Sequence, residues 1–131
     1  MTTWLLLPDA WRVELMSAPH HRDAWLSALD VWPDVKLVDW GSSRPAPGDL
    51  VLIAGLDFAA AELVLKLPPE VRVAATRTSW SPWLAGSRKR FLARAEARVS
   101  ARLETVPSGR ALPAVPAAFL GALMKAAEAL S

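Results

Sequence analysis

The side chains with the best claim to chemistry fall in turn-forming stretches that follow apolar runs. They are Asp39 with Ser42 and Ser43, Asp57, and Arg77 with Thr78. An aspartate closing a strand can accept both hydroxyls of a ribose, and an arginine among hydroxyl residues can hold a phosphate or carboxylate. The same residue types also make turns and solvated loops with no ligand at all. His20 and His21 are the only imidazoles. Adjacent side chains diverge, and no cluster of acids or histidines lies at ligand spacing, so neither a metal site nor a general base is indicated. The chain has no cysteine, which excludes disulfides, thiolate zinc sites and a cysteine nucleophile. There is no GxGxxG or phosphate-binding loop, and Ser42-Ser43 lacks the G-x-S-x-G elbow of serine hydrolases.

Two further sets of residues suggest surfaces. Arg90, Arg94, Arg98 and Arg102 recur every four positions, so a continuous helix would align them as a basic ridge able to meet nucleic-acid phosphates. Glu96 and Glu104 interrupt that ridge and Phe91 is expected to face inward, which favours an ordinary solvated face and makes nucleic acid a remote partner. Trp80 and Trp83 flank Pro82. Tryptophan is enriched where partners are anchored, yet such a pair can equally form a small core cluster under a loop. In the last helix Phe119, Leu120, Leu123, Met124, Ala127 and Leu130 make an apolar stripe that must pack on something. Phe119 and Leu123 therefore join Trp80 and Trp83 as candidates for partner contact, whereas Trp11, Trp25 and Trp32 are assigned to the core.

These residues need elements to hold them. Asp49-Leu-Val-Leu-Ile-Ala-Gly55 is an unbroken apolar run closed by glycine, the form of a strand buried on both faces. Val35 to Asp39 precedes it and Val71 to Thr76 follows, with a helix from Phe58 to Leu67 capped by Asp57 and ended by Pro68-Pro69. Trp4 to Leu7 and Trp11 to Met16 are expected as strands of an edge hairpin turning at Pro8 to Ala10. Arg22 to Val31 reads as a helix with Ala24, Trp25, Ala28, Leu29 and Trp32 on one side. Trp40 to Gly48 is a loop, and Ser79 or Ser81 could cap a helical turn containing Pro82. A basic helix is expected from Ser87 to about Ala97. Val99 to Val106 continues it or forms an edge strand; the alternation of Val99, Ala101, Leu103 and Thr105 favours the strand. Pro107 to Pro116 is a loop, and the last helix runs from Ala117 to Leu130.

At 131 residues the chain suits one domain over its whole length. Its apolar fraction of 53%, with seven tryptophans and no tyrosine, is rich enough to suggest that a partner covers some of the surface. No run of about 18 apolar residues is present to span a bilayer, and the start lacks the pattern of a signal peptide, so a cytoplasmic location without membrane attachment is expected. The net charge of +2 conceals a division: residues 1–70 carry ten acids and five bases, residues 71–131 three acids and ten bases. Such asymmetry either pairs two parts of one fold or steers a partner of opposite sign.

From Pro47 onward the chain resembles the later part of class I S-adenosylmethionine-dependent methyltransferases. The resemblance covers about residues 35–110. It rests on Pro47-Gly-Asp49-Leu-Val-Leu-Ile, an alanine-rich helix, Leu67-Pro-Pro-Glu-Val-Arg-Val-Ala, and Arg77 to Trp83 leading into a basic helix and Arg98 to Pro107. It implies a ribose-binding role for Asp39 and S-adenosylmethionine as the cofactor. The family's glycine-rich first loop is missing at Ser17 to His21, and no catalytic motif stands at Ala54-Gly-Leu-Asp57, so what remains is similar to the scaffold without its cofactor grip.

The expectation is therefore a three-layer, Rossmann-like α/β domain with a mainly parallel sheet and helices on both faces. Its leading functional reading is a non-catalytic module without cofactor that associates with itself or with another protein. The alternatives are a methyltransferase-type enzyme lined by Asp39, Ser42, Ser43, Asp57, Arg77 and Thr78, and nucleic-acid binding through the arginine ridge.

Overall fold

A computed structural model describes residues 2–7, 9–30, 32, 34–37, 44–54, 58–76, 87–103 and 116–130. Among them, five strands form one sheet: β1 (Thr3–Leu6), β2 (Val35–Leu37), β3 (Leu50–Ile53), β4 (Arg72–Ala75) and β5 (Ala101–Arg102). Their order is β2-β1-β3-β4-β5 and every pair is parallel. The apolar run expected as the centre is the middle strand, flanked by β1 with Thr3 opposite Leu50 and by β4 with Leu50 opposite Arg72. All four residues of β3 are buried, as a strand covered on both faces requires.

Among the described residues, five helices cover the sheet: α1 (Asp9–Ser17), α2 (Pro19–Leu29), α3 (Phe58–Lys66), α4 (Ser87–Ala97) and α5 (Pro116–Leu130). Because side chains alternate along a strand, the sheet feeds two cores. Trp4, Leu6, Val51, Ile53, Val73 and Ala75 pack under α3 and α4 with Val64, Leu92 and Ala95. Leu5, Leu50, Leu52 and Ala74 pack under the other helices with Trp11, Trp25, Phe119, Leu120 and Leu123. The three-layer, Rossmann-like arrangement follows from that parity. In the second core Trp11, Trp25 and Phe119 meet edge-on or tilted, with centroids 5.4–6.2 Å apart. Such pairs add about 0.5–1.5 kcal/mol beyond their buried area.

The expected edge hairpin is replaced by a strand followed by two helices. Trp11 to Met16 lies within α1. Trp11 and Leu15 fit a period of two and a helical i, i+4 spacing equally well, and Val13 decides between them: it stands 60% exposed while Trp11 is buried. Ser17 to His21 is consequently the junction of α1 and α2. Ser17 ends α1, its hydroxyl donating to the Val13 or Glu14 carbonyl, and Pro19 opens α2, where its missing N–H costs nothing. In α2 Trp25 is buried and Ala28 and Leu29 are half-buried, but Ala24 is exposed.

Beyond α4, the chain becomes a strand. Ala101 and Arg102 pair with Ala74 and Ala75, and Leu103 is buried in the α5 face. Glu104 to Val106 fall outside the described residues, as do the helical turn expected around Pro82 and, as far as residue 115, the loop expected from Pro107 to Pro116; Pro116 itself begins α5.

Candidate functional site

In a parallel sheet of order 2-1-3-4-5, a ligand crevice opens beyond the carboxyl ends of the strands where β1 and β3 part company. The described residues on that rim are Leu7 after β1, Ala54 after β3, Thr76 after β4 and Leu103 after β5, and all four are buried. The connection from β1 to α1 is Leu7-Pro8, with no glycine. A phosphate held there would have to approach a backbone that carries a proline in place of one N–H donor, and α1 opens on an aspartate, which opposes an anion at a helix start. Thr76 is the polar exception. It is wholly buried and its Oγ1 has no hydrogen-bond partner, while its backbone N–H donates to the Ile53 carbonyl.

The six residues proposed to line a ligand, Asp39, Ser42, Ser43, Asp57, Arg77 and Thr78, lie outside the described residues. So do Trp80 and Trp83. Phe119 and Leu123, the other two candidates for partner contact, are 3% and 0% exposed and packed into the chain's own second core. The covering that their stripe needed comes from the sheet and α2. His20 and His21 begin α2, away from the strand ends. Their rings lie edge-on at 4.2 Å, and His21 Nδ1 is 3.7 Å from the Glu14 carboxylate on α1. Among the described residues no group of three acids, histidines or cysteines could hold a metal ion.

The four arginines do not form a ridge. Arg90 and Arg94 are exposed on α4, the latter with its guanidinium over the Phe91 ring at 5.9 Å. Arg98, just past the helix, instead reaches α3, donating to the carbonyls of Leu67 at 3.2 Å and Pro68 at 3.0 Å, with Val64 at 3.5 Å. Arg102 stands on β5 and pairs with Glu96. Two of the four guanidiniums thus hold the fold together, and the spacing of four loses its meaning where α4 ends at Ala97.

The most elaborated polar centre is one that sequence reasoning passed over. Asp49, 8% exposed, accepts from Ala46 N and Trp4 Nε1, both at 2.9 Å, and from Thr2 N at 3.0 Å. The bonds from Ala46, Thr2 and Trp4, in that order of weight, hold its carboxyl below the usual 3.8 against the opposing effect of burial. Gly48 before it has φ +91°, a conformation that favours glycine, and so turns the chain into β3. Asp49 sits at the amino rim of the sheet, opposite the ligand edge. Its role is to join β1, the turn and β3. The available signal was an aspartate between Pro-Gly and a buried strand, with a tryptophan whose N–H needed an acceptor.

A surface remains to be placed. Among the described residues, the large apolar side chains left exposed are Val13 at 60%, Met16 at 79% and Leu26 at 53%, all on the mutually packed α1 and α2. Beside Leu26 runs a groove of about 610 Å³ between the outer side of α2 and the start of β2, bordered by Asp23 and Asp30 and floored by Leu29, Trp32 and Val35. No helix among the described residues is long and apolar enough to cross a membrane. No protein-family model matches the chain, and no curated protein or solved structure does.

Proposed function

We propose that the chain is a non-catalytic, Rossmann-like module that acts through protein association, with the outer surface of α1 and α2 as its contact. The observation that carries this reading is the confinement of exposed Val13, Met16 and Leu26 to one pair of packed helices. Scattered single apolar residues are ordinary on a surface, but grouped ones mark contacts, and methionine adapts to varied partners. The glycine-free connection after β1 supports it from the other side, since the backbone there is poorly suited to a nucleotide. Light scattering on the purified chain is the test. The wild type is expected to exceed the 14.2 kDa of one chain, and a Val13→Asp, Met16→Asp, Leu26→Asp variant to return to that mass. A wild type of single-chain mass at every concentration removes the self-associating form of the reading.

One observation favours a second reading, a methyltransferase-type ligand site at the carboxyl rim: the buried, unpartnered Thr76 hydroxyl, which Arg77 and Thr78 follow in the sequence. A buried hydroxyl without a partner is costly, and a ligand is one way to satisfy it. Thermal unfolding with millimolar S-adenosylmethionine, S-adenosylhomocysteine, ATP or NAD separates the two readings. A ligand at about 100 times its dissociation constant adds roughly 2.7 kcal/mol. The association reading expects no shift with any of them, and a shift abolished by Asp39→Ala would replace it with the enzyme.

A further inference from the structure

Resting on the association reading, we infer that the groove on α2 receives the exposed face of α4 from a second copy of the chain, so that copies join head to tail. The groove's border is acidic and regularly spaced. Asp23, Ser27 and Asp30 fall at i, i+4 and i+7 along the outer side of α2, with Leu26 between them, and all four side chains are exposed. Asp34 stands exposed just before β2. Below this border lie the half-buried Leu29, Trp32 and Val35, a floor that can receive apolar atoms.

The same chain carries a complementary face. On α4, Lys89, Arg90 and Arg94 are exposed together with Ala93 and Ala97. The three cations are opposite in sign to the acids. The alanines keep the helix surface low, so that a second helix can approach it closely. The apolar stems of the arginines can lie on the groove floor while their heads meet the carboxylates. Within one molecule this match is unusable. α2 packs on the core under Trp11 and Phe119, α4 on the core of Val64 and Leu92, and the sheet separates them. Only another copy can bring the basic face to the acidic groove.

Because the two surfaces differ, the contact is heterologous, and it propagates as rings or open chains and does not stop at a two-fold dimer. A groove and one helix face are small beside the ~800 Å² per partner of stable complexes, and exposed ion pairs are weak and screened by salt. The expected behaviour is reversible, concentration-dependent growth that diminishes between low salt and about 0.5 M, where the screening length falls to a few ångströms.

Sedimentation equilibrium on the full chain tests this with two charge-reversed variants, Asp23→Lys with Asp30→Lys, and Arg90→Glu with Arg94→Glu. The altered side chains are all exposed, and far-ultraviolet circular dichroism verifies folding. Each variant alone is expected to lose self-association by about tenfold or more. An equal mixture is expected to recover it, because each reversed surface then finds its opposite on the other variant. Association that survives the α4 reversal but falls in the Val13, Met16, Leu26 variant overturns the head-to-tail contact and leaves the association reading standing. Failure of the mixture to recover also overturns it. A wild type that sediments as one chain throughout overturns the head-to-tail contact and self-association together.

Discussion

A carboxylate at the amino rim of the sheet carries more of this fold than its neighbours in sequence suggest. Asp49 is acceptor to three donors that come from the start of β1, the β1 indole and the preceding turn. Hydrogen bonds to a charged group contribute about 1.5–3 kcal/mol each, and donors left without their acceptor when buried cost a similar amount. Asp49→Asn turns an amide donor toward one or more of these N–H groups and is expected to destabilise the chain by about 2 kcal/mol at pH 7, measured by urea unfolding. The effect has a defined pH dependence. The folded carboxyl titrates below its ordinary value, so its contribution is fully present above about pH 4–5 and disappears as pH falls through the folded-state value. Wild type and Asp49→Asn are therefore expected to converge in stability in strong acid; a constant difference would contradict the assignment. The buried indole of Trp25 offers a contrast, since its Nε1 finds no acceptor whereas that of Trp4 finds Asp49. Asp49 was visible in the sequence only as the first letter of a strand, because the partners of a buried acid come from distant parts of the chain.

At the level of elements, Arg98 shows how a cation can end a helix to which it does not belong. The guanidinium of Arg98, some thirty residues on in the chain, donates to the carbonyls of Leu67 and Pro68 just past the end of α3 and ties that end to the segment after α4. Arg98→Met keeps much of the stem and removes the donors. It is expected to lower the melting temperature by roughly 5–10 °C, corresponding to about 2 kcal/mol in a domain of this size. Lys125→Met, whose side chain is exposed on α5, serves as the control and is expected to leave it unchanged. The elements themselves were unevenly legible. β3, α3, β4 and α4 could be read almost to the residue, since each is a strong apolar or amphipathic run bounded by proline or by a turn. α1 was misread because Trp11 and Leu15 satisfy both periods. The ligand-site residues near 39, 57 and 77 could be named only by their place after strands, since nothing in their types distinguishes a site from a turn.

The whole molecule is a sheet with chemically unlike layers on its two sides. One side presents the exposed apolar residues and carboxylates of α1 and α2, the other the cations of α4. The proposed association through unlike surfaces draws on that difference between the layers. Neither a composition nor a net charge of +2 could reveal it, because opposition across a sheet depends on which helix crosses to which face. The layers also differ from rim to rim. The polar ties among the described residues gather at the amino rim: Asp49 with its three donors, Arg98 on the end of α3, and Ser100 on the Val73 carbonyl. At the carboxyl rim Leu7, Ala54 and Leu103 pack their side chains into the second core, and the Ala54 and Leu103 N–H groups donate to the carbonyls of Leu6 and Ala75. The ties at the amino rim can accordingly persist when the segments leaving the carboxyl rim are changed in length and composition, which makes that rim the end of the domain open to a grafted activity.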